Sequence, residues 1–387
     1  MLSRGTSMYD FDAIIIGVGG MGSAALFHLA QRGVRVLGIE QFGVGHERGS
    51  SHGETRIIRR AYFEHPSYVP LLNSAYELWA ELARVAGRKL FHRTGMLVAG
   101  PGDGPVVTGV LRSAELHRLD VQPLSAAQAA DRFPGFRLPG NCAGLFEADA
   151  GILLVEDCVR AYVDAARAAG ARLLENTPVL GWSGGDRQVV VRTANAEYTA
   201  RSLVITGGAW AGRLLQSLHL PLEVRRKVVF WYEGDDGCFA KECGCPVFGF
   251  ETAAGFFYGI PALDGGGVKV AHHSGGRVVH DPAVVDRALH PEDEAPVRAF
   301  VADYLPRLRS SPPRYSVCLY TMTSDENFII DRHPQHDHVV FAAGFSGHGF
   351  KFASVVGSVL ADLAVDGATE EPIDFLNLSR LRRPLRG

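Results

Sequence analysis

Residues Phe11–Gln41 read "FDAIIIGVGGMGSAALFHLAQRGVRVLGIEQ". The β-branched run Ala13 to Ile16 has the texture of a strand buried on both faces. It runs into Gly17, Gly19 and Gly22, spaced as GxGxxG, and then into an alanine-rich helical stretch that Gly33 stops. A second strand, "VRVLGIE", ends on Glu40, eighteen residues after Gly22. Each part has a physical task in holding a dinucleotide. Gly17 permits a tight turn, Gly19 lets the backbone approach a pyrophosphate, and Gly22 lets helix and strand pack closely. The helix amino end offers unpaired N–H groups to the phosphates, and Glu40 stands where the adenosine ribose hydroxyls would donate to it. The acid argues against NADP, whose 2′-phosphate it would repel. This unit by itself does not separate NAD from FAD.

Working outward, "SLVITGGAW" (202–210) repeats the pattern of a parallel strand ending in a glycine turn, after a helix over "VEDCVRAYVDAARAA" stopped by Gly170 and strands either side of a turn at Asn195. A third piece, "HVVFAAGFSGHGFKFASVVGSVLADLAV", gives a strand, a glycine-rich turn and a helix. The segments between differ in texture: "KVVFWYEG", "GFFYGIPAL" and "GVKVAHHSGG" read as aromatic-rich antiparallel strands separated by glycine turns. The expectation is an α/β protein, α+β overall, with a Rossmann-like nucleotide domain interrupted by an antiparallel-sheet substrate domain. Residues 9–90, 150–215 and 318–387 are assigned to the first and 91–149 and 216–317 to the second, with 1–8 expected to be disordered. A pocket between two such lobes is a common place for a substrate.

Composition narrows the function. The 387 residues are 47% hydrophobic and 21% charged, with a formal net charge of -3, which gives no reason to expect nucleic acid or an anionic membrane as partner. No apolar run approaches the roughly 18 residues of a membrane span. The leading "MLSRGTS" lacks the apolar middle of a secretory signal, so a cytoplasmic location is expected. Six cysteines are scattered, and the one close pair, Cys243 and Cys245, has no partner cluster at a familiar zinc spacing. Neither a disulfide framework nor a metal site is expected.

Three stretches carry candidate chemistry. "GSSHGETRIIRRAY" (49–62) holds His52, Arg56, Arg59 and Arg60 beside the nucleotide unit. If it is helical, Arg56 and Arg59 share a face, and arginine suits a two-point grip on a carboxylate. In "GVKVAHHS" an extended strand puts Lys269, Ala271 and His273 on one face. Such a lysine either faces water or, buried near a cofactor, stabilises a developing anion. In "GFSGHGFKF" Lys351 follows a glycine-rich turn that leaves backbone uncovered for close approach. His348 in that turn reads as a structural residue somewhat more readily than as a base.

Together, "GSSHGETRIIRRAY", "GVKVAHH", "VCLYTMTSDENFIID" and "GFSGHGFKFAS" resemble the monomeric sarcosine oxidase family, over about Tyr9 to Arg380. Within that family, "RRKVVFWYEG", "HSGGRVVH" and "GHGFKFASVVG" look closer to the N-methyl-L-tryptophan oxidases. The resemblance implies FAD, attached through its 8α position to the cysteine that Cys318 matches. It implies oxidation of a secondary amino acid to an imine with O₂ reduced to hydrogen peroxide; an N-methyl imine then hydrolyses to formaldehyde and the primary amino acid. By matched position, Arg59 and Lys351 hold the substrate carboxylate, Arg56 and His52 lie beside the flavin ring, and Lys269 activates oxygen. Tyr258 and His273 position the amine. Gln41, Ser51, Val179, Gly207, Trp210, Gly347, His348, Gly349, Phe350 and Lys351 join Gly17, Gly19, Gly22 and Glu40 as cofactor contacts. Gly249 stands where the sarcosine enzyme carries a larger apolar residue, which would leave room for a bulkier substrate. The family name implies a monomer, and no metal, membrane or nucleic-acid partner is implied. A cyclic secondary amino acid (pipecolate or proline type) as substrate, a flavin dehydrogenase using another acceptor, and a nucleotide sensor without turnover are the alternatives.

Overall fold

Strand Phe11–Ile16 pairs in parallel with Val36–Ile39 on one side and Glu197–Ile205 on the other. The next parallel neighbours are Arg172–Leu174 and His336–Ala343. Three segments far apart in sequence thus build one sheet around the opening unit, as their shared strand-then-glycine pattern anticipates. The computed structural model describes residues 9–185, 188–234, 237–309 and 314–382. Among them this sheet has eight strands, extended by the antiparallel pair Val179–Gly184 and Val189–Thr193 and by Ile329–His333. The helix Gly20–Gln31 lies against it, with Val155–Ala168 and Ala353–Val365 packed on that helix. A Cβ on Gly357 would meet that of Ala24 at 2.4 Å, so the small residue is what lets these two helices touch.

The second sheet has nine strands among the described residues and is mostly antiparallel. Its centre is Glu223–Tyr232, Val268–His272, Gly255–Ile260 and Val247–Thr252, and Met96–Pro101 joins it in parallel with Val247–Thr252. The molecule is therefore a mixed α/β protein with one largely parallel and one largely antiparallel sheet. The strand Arg314–Met322 pairs with Glu223–Tyr232 along its whole length. The division point expected at residue 318 accordingly falls inside a strand of the antiparallel sheet. Cys318 is carried by that sheet, opposite Lys227. The disorder expected for residues 1–8 lies outside the described residues. No helix among the described residues is long and apolar enough to cross a membrane.

The condition under which Arg56 and Arg59 would share a helix face is not met. The arginine-bearing stretch is not helical: Thr55–Ile58 is a strand paired with Gly151–Leu154, which also pairs with Phe91–Arg93. Thr55, Ile57 and Ile58 are β-branched, and the neighbouring strand supplies the hydrogen bonds a helix would have made internally. This small sheet brings Arg56 and Ile57 to the wall of the cavity described next.

Candidate active site

A single cavity of about 780 Å³ runs from the carboxyl ends of the parallel strands to the antiparallel sheet. Such a position, beyond the carboxyl ends of parallel strands, is where this sheet class binds its ligands. At one end stand Gly17, Gly19, Glu40, Gln41, Val179, Gly207 and Trp210; at the other stand Arg59, Tyr258, His273 and Lys351. Ser51, Arg56, Cys318, Gly347, His348, Gly349 and Phe350 also lie on its wall.

The nucleotide end fits a dinucleotide on its own geometry. Gly17 has φ +88°, the left-handed backbone that the turn requires. A Cβ on Gly22 would sit 1.9 Å from the Gly17 carbonyl oxygen. Gly22 is thus off the cavity wall, and its role is the close helix–strand packing its spacing predicts. The helix Gly20–Gln31 begins at Gly19, and its first amide, on Gly20, donates to Ser51 Oγ at 3.0 Å, while Gly19, Gly20 and Met21 line the cavity at its amino end. Glu40 is buried and accepts from the Val18 and Phe42 amides at 2.7 and 3.1 Å. That holds its carboxylate rigidly at the cavity edge.

In the middle of the cavity, Cys318 and Arg56 meet: Arg56 Nη2 lies 3.6 Å from Cys318 Sγ. The guanidinium is fixed by the Thr55 and Ser50 carbonyls, each at 2.8 Å. Behind it lies Lys269, fully buried, its Nζ donating to the Gly53 and Thr55 carbonyls at 2.8 and 2.9 Å. Burial, and then the charge of Arg56, push the Lys269 ammonium well below the usual lysine range. His52 contacts the Gly49 carbonyl at 3.0 Å, and burial followed by Arg56 pushes it down to about 3. His52 and Lys269 do not reach the cavity wall; they stand one layer behind it.

At the far end Arg59 is already occupied. Its Nη2 donates to both carboxylate oxygens of Glu64 at 2.7 Å, its Nη1 donates to Ala61 O, and its guanidinium lies over the rings of Tyr62 and Phe63. Burial would raise the Glu64 carboxyl, but Arg59, His348 and Lys351 outweigh it and bring it down to about 2. Lys351 Nζ donates to the His348 carbonyl at 2.6 Å, and burial followed by Arg59 pushes it down to about 7. The His348 ring is committed on both nitrogens, to Tyr62 Oη at 2.5 Å and to Glu326 O at 3.0 Å. That is the structural role its turn position favours. Tyr320 Oη lies 3.4 Å from His273 Nδ1, and burial with the nearby Lys227 pushes His273 down to about 3.

Three cavity residues carry weight that the sequence reading missed. Tyr320 sits two places after Cys318 on one strand, hence on the same face, a signal that was available. Glu64 and Phe63 gave none, because nothing in their spacing pairs them with Arg59. Gly249 is corrected: it is off the wall, and the space its missing side chain leaves is filled by Phe256, whose Cζ would be 2.5 Å from a Cβ there.

Comparison with known proteins identifies the cofactor class of this cavity. The profile of the FAD dependent oxidoreductase family matches residues 12–363. The chain belongs to that family. Monomeric sarcosine oxidase of Bacillus sp. is 42% identical over 375 residues, 96% of both chains. N-methyl-L-tryptophan oxidase of Citrobacter koseri is 38% identical over 364 residues, 92% of this chain and 94% of that one. Overall identity is thus higher to this sarcosine oxidase than to this N-methyl-L-tryptophan oxidase, against the closer likeness expected from three short stretches. Among solved structures, the open form of NikD, described as an unusual amino acid oxidase essential for nikkomycin biosynthesis, superposes with TM-score 0.84 at 24% identity over 95% of this chain and 97% of that one. L-proline dehydrogenase from P. horikoshii gives TM-score 0.83 at 23% identity, covering 97% and 98%. These two likenesses concern the fold. For an FAD dependent oxidoreductase, the glycine turn and Glu40 line the end of the cavity that would take the ADP half of FAD.

Proposed function

We propose that the protein is an FAD-dependent oxidase of secondary, N-methyl amino acids. The observation that carries this reading is one cavity that joins a dinucleotide cradle to a buried arginine–lysine pair, Arg59 and Lys351, with Cys318 between them. FAD, when bound, supplies the acceptor for the two electrons of the amine C–H bond and passes them to O₂. The sarcosine and N-methyltryptophan oxidase relatives support that chemistry.

The chain's own residues do the remainder. Arg59 and Lys351 grip the substrate carboxylate, with Arg59 exchanging Glu64 for it. The Arg56 and Arg59 guanidiniums, with Lys351 when protonated, make an incoming ammonium lose its proton more readily, which leaves the amine neutral for hydride loss. His273 is uncharged at working pH and, with Tyr320 and Tyr258, presents neutral hydrogen-bonding groups to that amine. Lys269 and Arg56 set positive charge behind the place where reduced oxygen becomes an anion. The imine product takes up water and divides into formaldehyde and the primary amino acid. Cys318, a free thiol on the wall, is the residue that would hold FAD covalently. The composition and the relatives' names support a cytoplasmic monomer.

The test is a panel of N-methyl and cyclic amino acids with peroxide detection on flavin-loaded protein, expected to give peroxide, with activity rising with pH through the titration of the bound amine. A reducible flavin that yields no peroxide with any of them would sink the oxidase reading. Acid-precipitated protein should stay yellow and the Cys318→Ala protein should not; colour released from both would reject the covalent link.

A further inference from the structure

Beyond the carboxylate grip, the cavity has an apolar corner that no step above uses. Phe63 and Phe256 meet there with ring centroids 5.1 Å apart, and Ile57 and Met96 complete the wall. Ile57, Phe63 and Phe256 are only partly buried, although they pack on the core cluster that contains Met96 and Val98. They keep apolar surface turned to the cavity. Phe63 shares its loop with Glu64, and its other face holds the Arg59 guanidinium at 4.4 Å. The corner is therefore adjacent to the place where a carboxylate would be gripped, which is where an α-substituent would project.

The backbone under this corner is unusually bare. Gly249 lies directly across the strand pair from Tyr258, and the Phe256 ring leans over it from the neighbouring pair. A Cβ at 249 would meet Phe256 Cζ at 2.5 Å and Met96 Cε at 3.1 Å. Phe256 is otherwise bounded by Phe63 and, edge-on at 6.0 Å, by His273. With the sheet beneath it and rings beside it, the displaced ring has the cavity as its free direction. Gly249 thus acts through Phe256: the ring tip occupies the place a side chain at 249 would take, which keeps the corner open. A similar close approach fixes the other ring, since a Cβ on Gly109 would meet the Phe63 carbonyl at 2.5 Å.

We infer that this corner is the side-chain subsite of the enzyme, and that it takes a substrate with a large apolar, preferably aromatic, α-substituent. Gly249 and Phe256 act as a coupled pair that sets its size. Rings meeting at a tilt offer edges and faces to a third ring, and the four side chains that form the corner, Ile57, Phe63, Met96 and Phe256, are all uncharged and apolar. The inference rests on the carboxylate grip proposed above.

Phenylacetate and acetate test it, because both carry a carboxylate and neither has an amine to oxidise. Their affinities for the flavin-loaded protein, measured by calorimetry, should differ by about tenfold or more in favour of phenylacetate, the scale on which an apolar pocket discriminates. Gly249→Ala should cut that ratio about tenfold while moving acetate by less than about threefold, since only the ring is pushed. Phe256 hangs on two rotatable bonds, so the variant yields at the ring rather than in the sheet. In a Phe256→Ala background, Gly249→Ala should leave the ratio unchanged. Equal affinities in the parent protein would overturn the inference, as would a Gly249→Ala effect that persists without Phe256. Failure of either carboxylate to bind would overturn the inference together with the grip beneath it. Tight acetate binding without a preference overturns the inference alone.

Discussion

Arg56 and Lys269 on one side of the cavity are held by main-chain carbonyls, whereas Arg59 on the other is held by a side-chain carboxylate. The Ser50, Gly53 and Thr55 carbonyls lie in the backbone of the small three-stranded sheet and the turn before it, so they do not leave. They satisfy the donors without cancelling charge, so the Arg56 guanidinium stays positive beside Cys318 and the Lys269 amine is held in place behind it. Glu64 does cancel charge, and it sits on a loop that an incoming anion can replace. One wall is a fixed electrostatic background and the other is an exchangeable one. A redox cofactor that stays bound needs the first, and a substrate that comes and goes needs the second.

The most damaging way to break the fixed wall is Lys269→Met, which keeps the side-chain length and removes the charge. Reoxidation by O₂ should slow by about 10²–10³-fold, the scale of losing one placed charge or donor at a developing anion. Anaerobic reduction of the flavin by substrate should change far less, and stopped-flow absorbance separates the two half-reactions. Equal losses in both would mean that Lys269 supports the architecture and not the oxygen step.

Glu64→Gln probes the exchangeable wall and should have the opposite sign. The neutral amide fills the same space but no longer competes with a ligand carboxylate for Arg59. Acetate should bind roughly ten- to thirtyfold more tightly, about 1.4–2 kcal/mol, with its dissociation constant read by titration. Unchanged affinity would show that Arg59 and Glu64 stay together when the ligand arrives.

This division between walls was only half legible in the sequence. The nucleotide end was readable because Gly17, Gly22 and Glu40 act within one continuous strand–helix–strand unit, where spacing fixes geometry. Lys269 was readable as one face of a strand, though not that its ammonium would be folded back onto the carbonyls of residues 53 and 55. In the stretch 55–58 the arginines recur at helical spacing, while the pairing with Gly151–Leu154 that makes it a strand is remote in sequence. Glu64 was silent: an acid five residues from an arginine has no secondary-structure rule joining it, and a turn brings them together. Gly249 was noticed, yet its consequence depends on Phe256 across a hairpin, so the missing volume was assigned to the ligand and not to a neighbouring ring.

The smallest effect isolates Lys351, the second cation of the exchangeable wall. Burial pushes it down to about 7 in the free protein, so part of the population is neutral at physiological pH. A bound carboxylate favours the charged form and raises that value, so binding above pH 7 must draw a proton from solution. The sign follows: affinity for a carboxylate is full below pH 7 and declines as pH rises through it. From pH 6 to 7.5 acetate should weaken roughly fourfold if the bound form stays protonated. In the free protein the other groups around the site hold their charge in this window: Arg59 stays charged, Glu64 is ionised with a value of about 2, and His348 and His273, at about 4 and 3, are neutral. Lys227 is also pushed down to about 7, but its ammonium is bound to the Ser274 and Gly275 carbonyls and it is not part of the cavity wall. Lys351→Met therefore assigns the effect. Acetate binding should be weaker in that variant and flat with pH; a slope that survives would transfer the titration to Lys227 and leave Arg59 as the sole grip of the exchangeable wall.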